Sequence, residues 1–176
     1  MEKKPSLFMV CLGYGVIIAL AIIVLSLILF LIDLDQNKPL QFLSYAILLA
    51  GIILAQLNYR NKYQLGYIEY GKAFMVGMLT SLFLALIMGI YTYIFFKYIN
   101  PGAMEEIMVL QEQKMMDMGM SDMEIEQGLA VAEKFQSVGM YTFFAVLGNF
   151  LIGTVISLIT AIFIKKEDTS WGQPAE

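Results

Sequence analysis

Five methionines fall within one short stretch, Met115, Met116, Met118, Met120 and Met123, and they are the side chains whose type and spacing come closest to a chemical motif. Soft thioether sulfurs at such intervals can bind copper(I). Methionine is also a flexible core filler and the chain holds 13 of them, so a helical stripe accounts for several of the five without a metal. Packing is the expectation and no cofactor is expected. The five sulfurs are the copper(I) candidates in the event that a metal does bind.

Other chemistries lack their reactive groups. There is no histidine, which removes imidazole metal ligands and histidine acid–base catalysis. Cys11 is the single cysteine, so no intrachain disulfide can form, and its apolar surroundings suit a thiol that packs as a small hydrophobe. No nucleophile elbow, Walker A loop or calcium-binding Asp-x-Asp-x-Asp-Gly loop occurs. Gly13-Tyr14-Gly15 lies inside an apolar run rather than after a strand. No basic run exceeds the pairs Lys3-Lys4 and Lys165-Lys166, so nucleic acid is not an expected partner.

The elements that must carry these residues are long and apolar. With 59% hydrophobic and 15% charged residues, the composition exceeds what a soluble domain can bury, and the partner it implies is a lipid bilayer. Four uncharged runs stand out: 7–32, 40–57, 73–96 and 141–164. The first is 26 residues long, about 39 Å as a helix against a hydrocarbon core of about 30 Å. These runs are apolar on every face, unlike the alternating strands of a membrane barrel, and a lone span must satisfy its backbone internally. The expected fold is an all-α integral membrane protein, one domain over 1–176, with four transmembrane helices.

Lysine and arginine set the expected orientation, because cytoplasmic segments carry the excess. Lys3, Lys4, Arg60, Lys62, Lys72, Lys165 and Lys166 fall on one side; Lys38, Lys97, Lys114 and Lys134 fall on the other, with Asp33 and Asp35. Both termini are therefore expected in the cytoplasm. Residues 100–139 become the extracytoplasmic part and read as a helical hairpin. Asn100-Pro101 supplies a start, Gly119 a left-handed stop, and Ser121-x-x-Glu124 a capping box. Met104, Ile107, Met108, Met115 and Met118 keep helical spacing in the first arm, as do Ile125, Leu129, Ala132 and Phe135 in the second.

Within the spans, polarity is neutral: Gln56, Thr80, Ser81, Thr92, Asn149, Thr154, Ser157 and Thr160. Asn149 is the most expensive to place in lipid, and its amide is expected to bond a neighbouring helix. Small residues recur every fourth position in Ala73-x-x-x-Gly77, in Ala85-x-x-x-Gly89 and through Gly153, Ser157 and Ala161. Such rows let helix backbones approach closely, within one chain or between chains. Tyr59, Tyr63, Tyr67 and Tyr70 suit headgroup depth, where tyrosine anchors helix ends.

The order of these features resembles the bacterial membrane-protein family catalogued as domain of unknown function 4199. The resemblance is carried by Ile68-Glu69-Tyr70-Gly71-Lys72-Ala73-Phe74 with Gly77, by Asn100-Pro101, by Ser121 through Glu126, and by Ser157-Leu158-Ile159 leading to Lys165-Lys166. It implies a four-helix layout in a bacterial inner membrane and brings no established activity or functional residue. From the residues alone, the expected role is a non-enzymatic accessory or assembly subunit that binds another membrane protein or itself. The alternative is a small homo-oligomeric transporter or channel for an apolar or neutral solute, with Asn149, Thr154 and Gln56 facing the path.

Overall fold

The computed structural model describes residues 6–32, 34, 38–135 and 137–166, and every regular element among them is helical. Six α-helices follow in order: α1 (Leu7–Leu31), α2 (Lys38–Asn58), α3 (Tyr70–Ile94), α4 (Ala103–Asp117), α5 (Asp122–Lys134) and α6 (Val138–Ile164). Lys3, Lys4, Asp33 and Asp35, used above to set orientation, lie outside the described residues. Four stretches are long and apolar enough to cross a membrane: Leu7–Leu31, Phe42–Tyr63, Tyr70–Ile99 and Val138–Ile164. Their outward side chains stay apolar, with Ile17 64% and Phe163 80% exposed, a surface that water would penalise and lipid would not. The chain is thus all-helical with the makings of a multi-pass membrane protein.

The helices overrun the uncharged runs because a charge does not end a helix; backbone geometry does. A π-helical turn at Tyr59–Tyr63 extends α2 past Arg60 and Lys62. The chain then breaks where Leu65 (φ 54°) and Gly66 (φ 90°) enter the left-handed region, which costs a leucine about 1–2 kcal/mol. A second π-helical turn, Phe95–Ile99, carries α3 past Lys97 to Asn100. At the other ends, Ser6 caps α1 by accepting from the Met9 N–H at 3.3 Å, and Ser137 accepts from the Met140 N–H at 3.2 Å at the start of α6.

The expected start at Asn100-Pro101 is displaced. The Asn100 carbonyl accepts from the Ala103 N–H at 3.2 Å, so Pro101 and Gly102 form a β-turn and α4 begins at Ala103. Proline is at home at the second position of such a turn.

Two compact units result, Met1–Ile87 with Leu147–Glu176, and Met88–Val146. In the first, the core gathers Val10 and Cys11 of α1, Ala55 of α2, Ala73 and Val76 of α3, and Ala161 and Ile164 of α6. Tyr59 belongs to this core at 7% exposure, with its ring 5.6 Å from that of Tyr63. It is a packing residue, whereas Tyr67 and Tyr70 are exposed. Ile68 and Lys166 form an isolated antiparallel bridge, with both N–H···O distances 2.9 Å.

In the second unit, α4 closes on a Schellman motif. Gly119 (φ 73°) donates to the Met116 carbonyl at 2.9 Å and Met120 donates to that of Met115 at 3.2 Å. The α5 cap follows, in which the Ser121 N–H and hydroxyl both donate to Glu124 Oε2 at 2.8 Å. Ala103, Met104 and Ile125 are buried here, and the Met115 side chain lies against Gly128.

Candidate functional site

The polar groups of the spans converge on Gln56, which is fully buried. Its Nε2 donates to the Ala73 carbonyl of α3 at 3.1 Å and to the Ser157 hydroxyl of α6 at 3.3 Å, with the Ser157 carbonyl at 3.5 Å. Ser157 Oγ donates in turn to the Phe74 carbonyl at 2.8 Å. Three helices are therefore tied through one amide. Two backbone carbonyls face its nitrogen, which fixes the amide orientation and points Oε1 away; that oxygen is buried without a hydrogen-bond partner among the described residues.

Around this tie, the hydroxyls satisfy themselves. Thr80 donates to Val76 O at 2.8 Å, Ser81 to Gly77 O at 2.9 Å, Thr154 to Phe150 O at 2.7 Å and Thr160 to Ile156 O at 2.9 Å, each one turn back on its own helix. Cys11 Sγ reaches the Val76 carbonyl at 3.5 Å and is fully buried.

The small residues let this seam close. A Cβ built on Gly77 would strike the Ser157 side chain and stand 2.8 Å from Gln56 Nε2. One on Gly153 would stand 2.5 Å from Ser81 Cβ. Ala73, Ala85 and Ala161 are fully buried. Gly89 lies against Val146 within the second unit. These positions are occupied inside the chain. Asn149 is half-buried, and Gln56 lies at the centre of the seam.

Two further features escaped the sequence reading. On α1, Cys11, Gly15 and Ala19 recur every fourth residue and are all buried; a Cβ on Gly15 would lie 2.7 Å from Phe83 Cβ. Spacing could have found this row. Spacing could not have found the second feature, an Asn58 to Tyr14 hydrogen bond between α2 and α1 beside a groove of about 400 Å³ whose wall includes Met9, Ile17 and Tyr63.

The methionine cluster splits between two environments. Met115 packs on Gly128, whereas Met116, Met118 and Met123 are exposed at 55%, 70% and 69%. Among the described residues, no group of three or more His, Cys, Asp or Glu side chains is arranged to hold a metal ion. What the seam offers chemically is neutral amide and hydroxyl hydrogen bonding in a water-poor interior, suited to fixing helix positions.

No curated protein and no solved structure matches the chain. A family model described as "Protein of unknown function (DUF4199)" matches residues 13–166, which takes in α2 to α6 entire and all but the first turns of α1. With the match running through Gln56, Gly77, Gly153 and Ser157 alike, the chain belongs to the DUF4199 family.

Proposed function

We propose that the protein is a non-enzymatic accessory or assembly subunit of a bacterial inner membrane, with both termini cytoplasmic and α4–α5 forming an extracytoplasmic hairpin that docks another membrane protein. The orientation rests on the distribution of lysine and arginine. The observation that carries the docking role is a row of apolar side chains left uncovered on α4 and α5. Val109 and Met116, two turns apart on α4, are 52% and 55% exposed, and Met123 and Val131 on α5 are 69% and 55% exposed. Neither helix is long enough to cross a membrane, so the row does not belong to a span.

The same segment carries Glu105, Glu106, Glu112, Asp117, Asp122, Glu124, Glu126 and Glu133 against Lys114 and Lys134. A partner that covers the row would present an apolar surface with a basic rim. The small-residue faces are consumed by contacts within the chain, which shifts the partner surface to α4–α5. Of the three residues that motivate the transporter alternative, Gln56 and Thr154 spend their donors on helix carbonyls.

The test is photo-crosslinking at native expression level from Val109 and Met116, with Ile17 of α1 as a lipid-facing control. A discrete crosslinked membrane protein from the α4 positions alone is the expected result. Recovery of the uncrosslinked chain or of a crosslinked second copy would overturn the accessory role, and the second copy would return weight to a homo-oligomer.

A further inference from the structure

We infer that a cleft where α2, α3 and α6 end binds the phosphate headgroup of an anionic phospholipid, with Lys72 and Lys166 as its cationic ligands. The cleft measures about 1000 Å³ and lies between the turn after α2, the first turn of α3 and the residues that follow α6. The apolar spans stop at Tyr63, start at Tyr70 and stop at Ile164, so the cleft lies at headgroup depth on whichever face those ends occupy.

Its two ammonium groups are held by neutral neighbours. Lys72 Nζ donates to Gln64 Oε1 at 3.2 Å, and Lys166 Nζ stands 5.4 Å from the centroid of the Tyr67 ring. The bridge between Ile68 and Lys166 fixes the second lysine to the turn that leads into α3, which carries the first. Among the described residues one carboxylate, Glu69, shares the lining, so these three groups sum to a single positive charge, the complement of one phosphodiester. Tyr70 and Gly71 of the first turn of α3 line the cleft beside Lys72.

The rim decides for a lipid over a soluble anion. Leu65 is 86% exposed in a left-handed backbone conformation, and Met75 is 47% exposed. Both line the cleft beside the lysines, so apolar and cationic contacts are offered together, as a phospholipid requires. The choice of leaflet alone rests on the proposed orientation; binding does not, and cysteine-accessibility mapping of the termini tests that orientation separately.

The experiment is native mass spectrometry of the full chain released from nanodiscs of phosphatidylglycerol or phosphatidylcholine. The expected result is a retained phosphatidylglycerol adduct that falls about tenfold in the Lys72→Gln, Lys166→Gln double variant, persists in the Lys72→Arg, Lys166→Arg variant and is unchanged in Lys114→Gln. Equal retention by the double glutamine variant, equal binding of phosphatidylcholine, or displacement of the lipid by millimolar inorganic phosphate would each overturn the assignment. Unchanged thermal stability of the two double variants separates loss of binding from loss of fold.

Discussion

The seam around Gln56 and the segment α4–α5 handle polarity in opposite ways. At the seam, polar side chains are buried, apolar ones face outward, and glycines bring backbones close enough for one amide to reach two other helices. In α4–α5, charges lie on the surface, the α5 cap is made by local side chains, and an apolar row is exposed with them. In the first arrangement the Gln56 oxygen is buried without a hydrogen-bond partner among the described residues. The second exposes a surface whose burial would be favourable, which is why recognition is assigned to it.

The contrast breaks most sharply at Gln56. A carboxylate there would face the Ala73 and Ser157 carbonyls with no proton to donate, so Gln56→Glu is expected to lose about 3 kcal/mol of stability, the scale of a charge placed inside a membrane helix. Gln56→Leu removes the donor and the orphaned oxygen together and is expected to stay within about 1 kcal/mol, since interhelical hydrogen bonds in membranes average about 0.6 kcal/mol. Unfolding midpoints in mixed micelles check the pair. Equal loss in both would mean that shape, not polarity, sets the demand at this site.

Close approach comes next in size. Gly77→Ala would drive its methyl into Ser157 and Gln56, and overpacking of this kind costs about 1–3 kcal/mol. Gly148→Ala, where a Cβ would meet nothing within 4 Å, is expected to change stability by less than about 0.5 kcal/mol. The same unfolding assay compares them. A Gly148 variant as damaged as the Gly77 variant would show that helix flexibility matters more here than contact.

These sites also mark how far the residues alone could be read. The four spans were legible because an unbroken apolar run has one stable solution in lipid, and Gly119 and Ser121-x-x-Glu124 were legible because their rules are local. The overrun of α2 to Tyr63 was not, because a run of uncharged residues reports where charges begin rather than where the backbone turns. The central place of Gln56 was not legible for a similar reason. Intrinsic cost orders the side chains, but the contacts that bury them come from helices far away in the chain, such as the link from Gln56 to Ser157. The apolar faces of α1 gave no direction either, and the small residues Cys11, Gly15 and Ala19, whose spacing could have given one, went unread.

The smallest expected effect belongs to the α5 cap and sharpens the comparison from the other side. Two hydrogen bonds from Ser121 favour the ionised Glu124 carboxylate and hold its pKa below the ordinary 4.5. A depressed carboxylate pKa means that the unfolded segment takes up the proton first as pH falls. The stabilising contribution is therefore fully present above the ordinary carboxylate pKa and is lost as pH drops through the lowered one. Amide exchange corrected for intrinsic rate should show slower opening of the first turn of α5 in the natural chain than in Glu124→Ala at neutral pH, with the gap closing in acid. Exchange around Gln56 should keep the same ratio between the two proteins at every pH, because the groups that face that amide are neutral. A gap at α5 that survived protonation would mean that the neutral Glu124 side chain holds the cap as well as the ionised one.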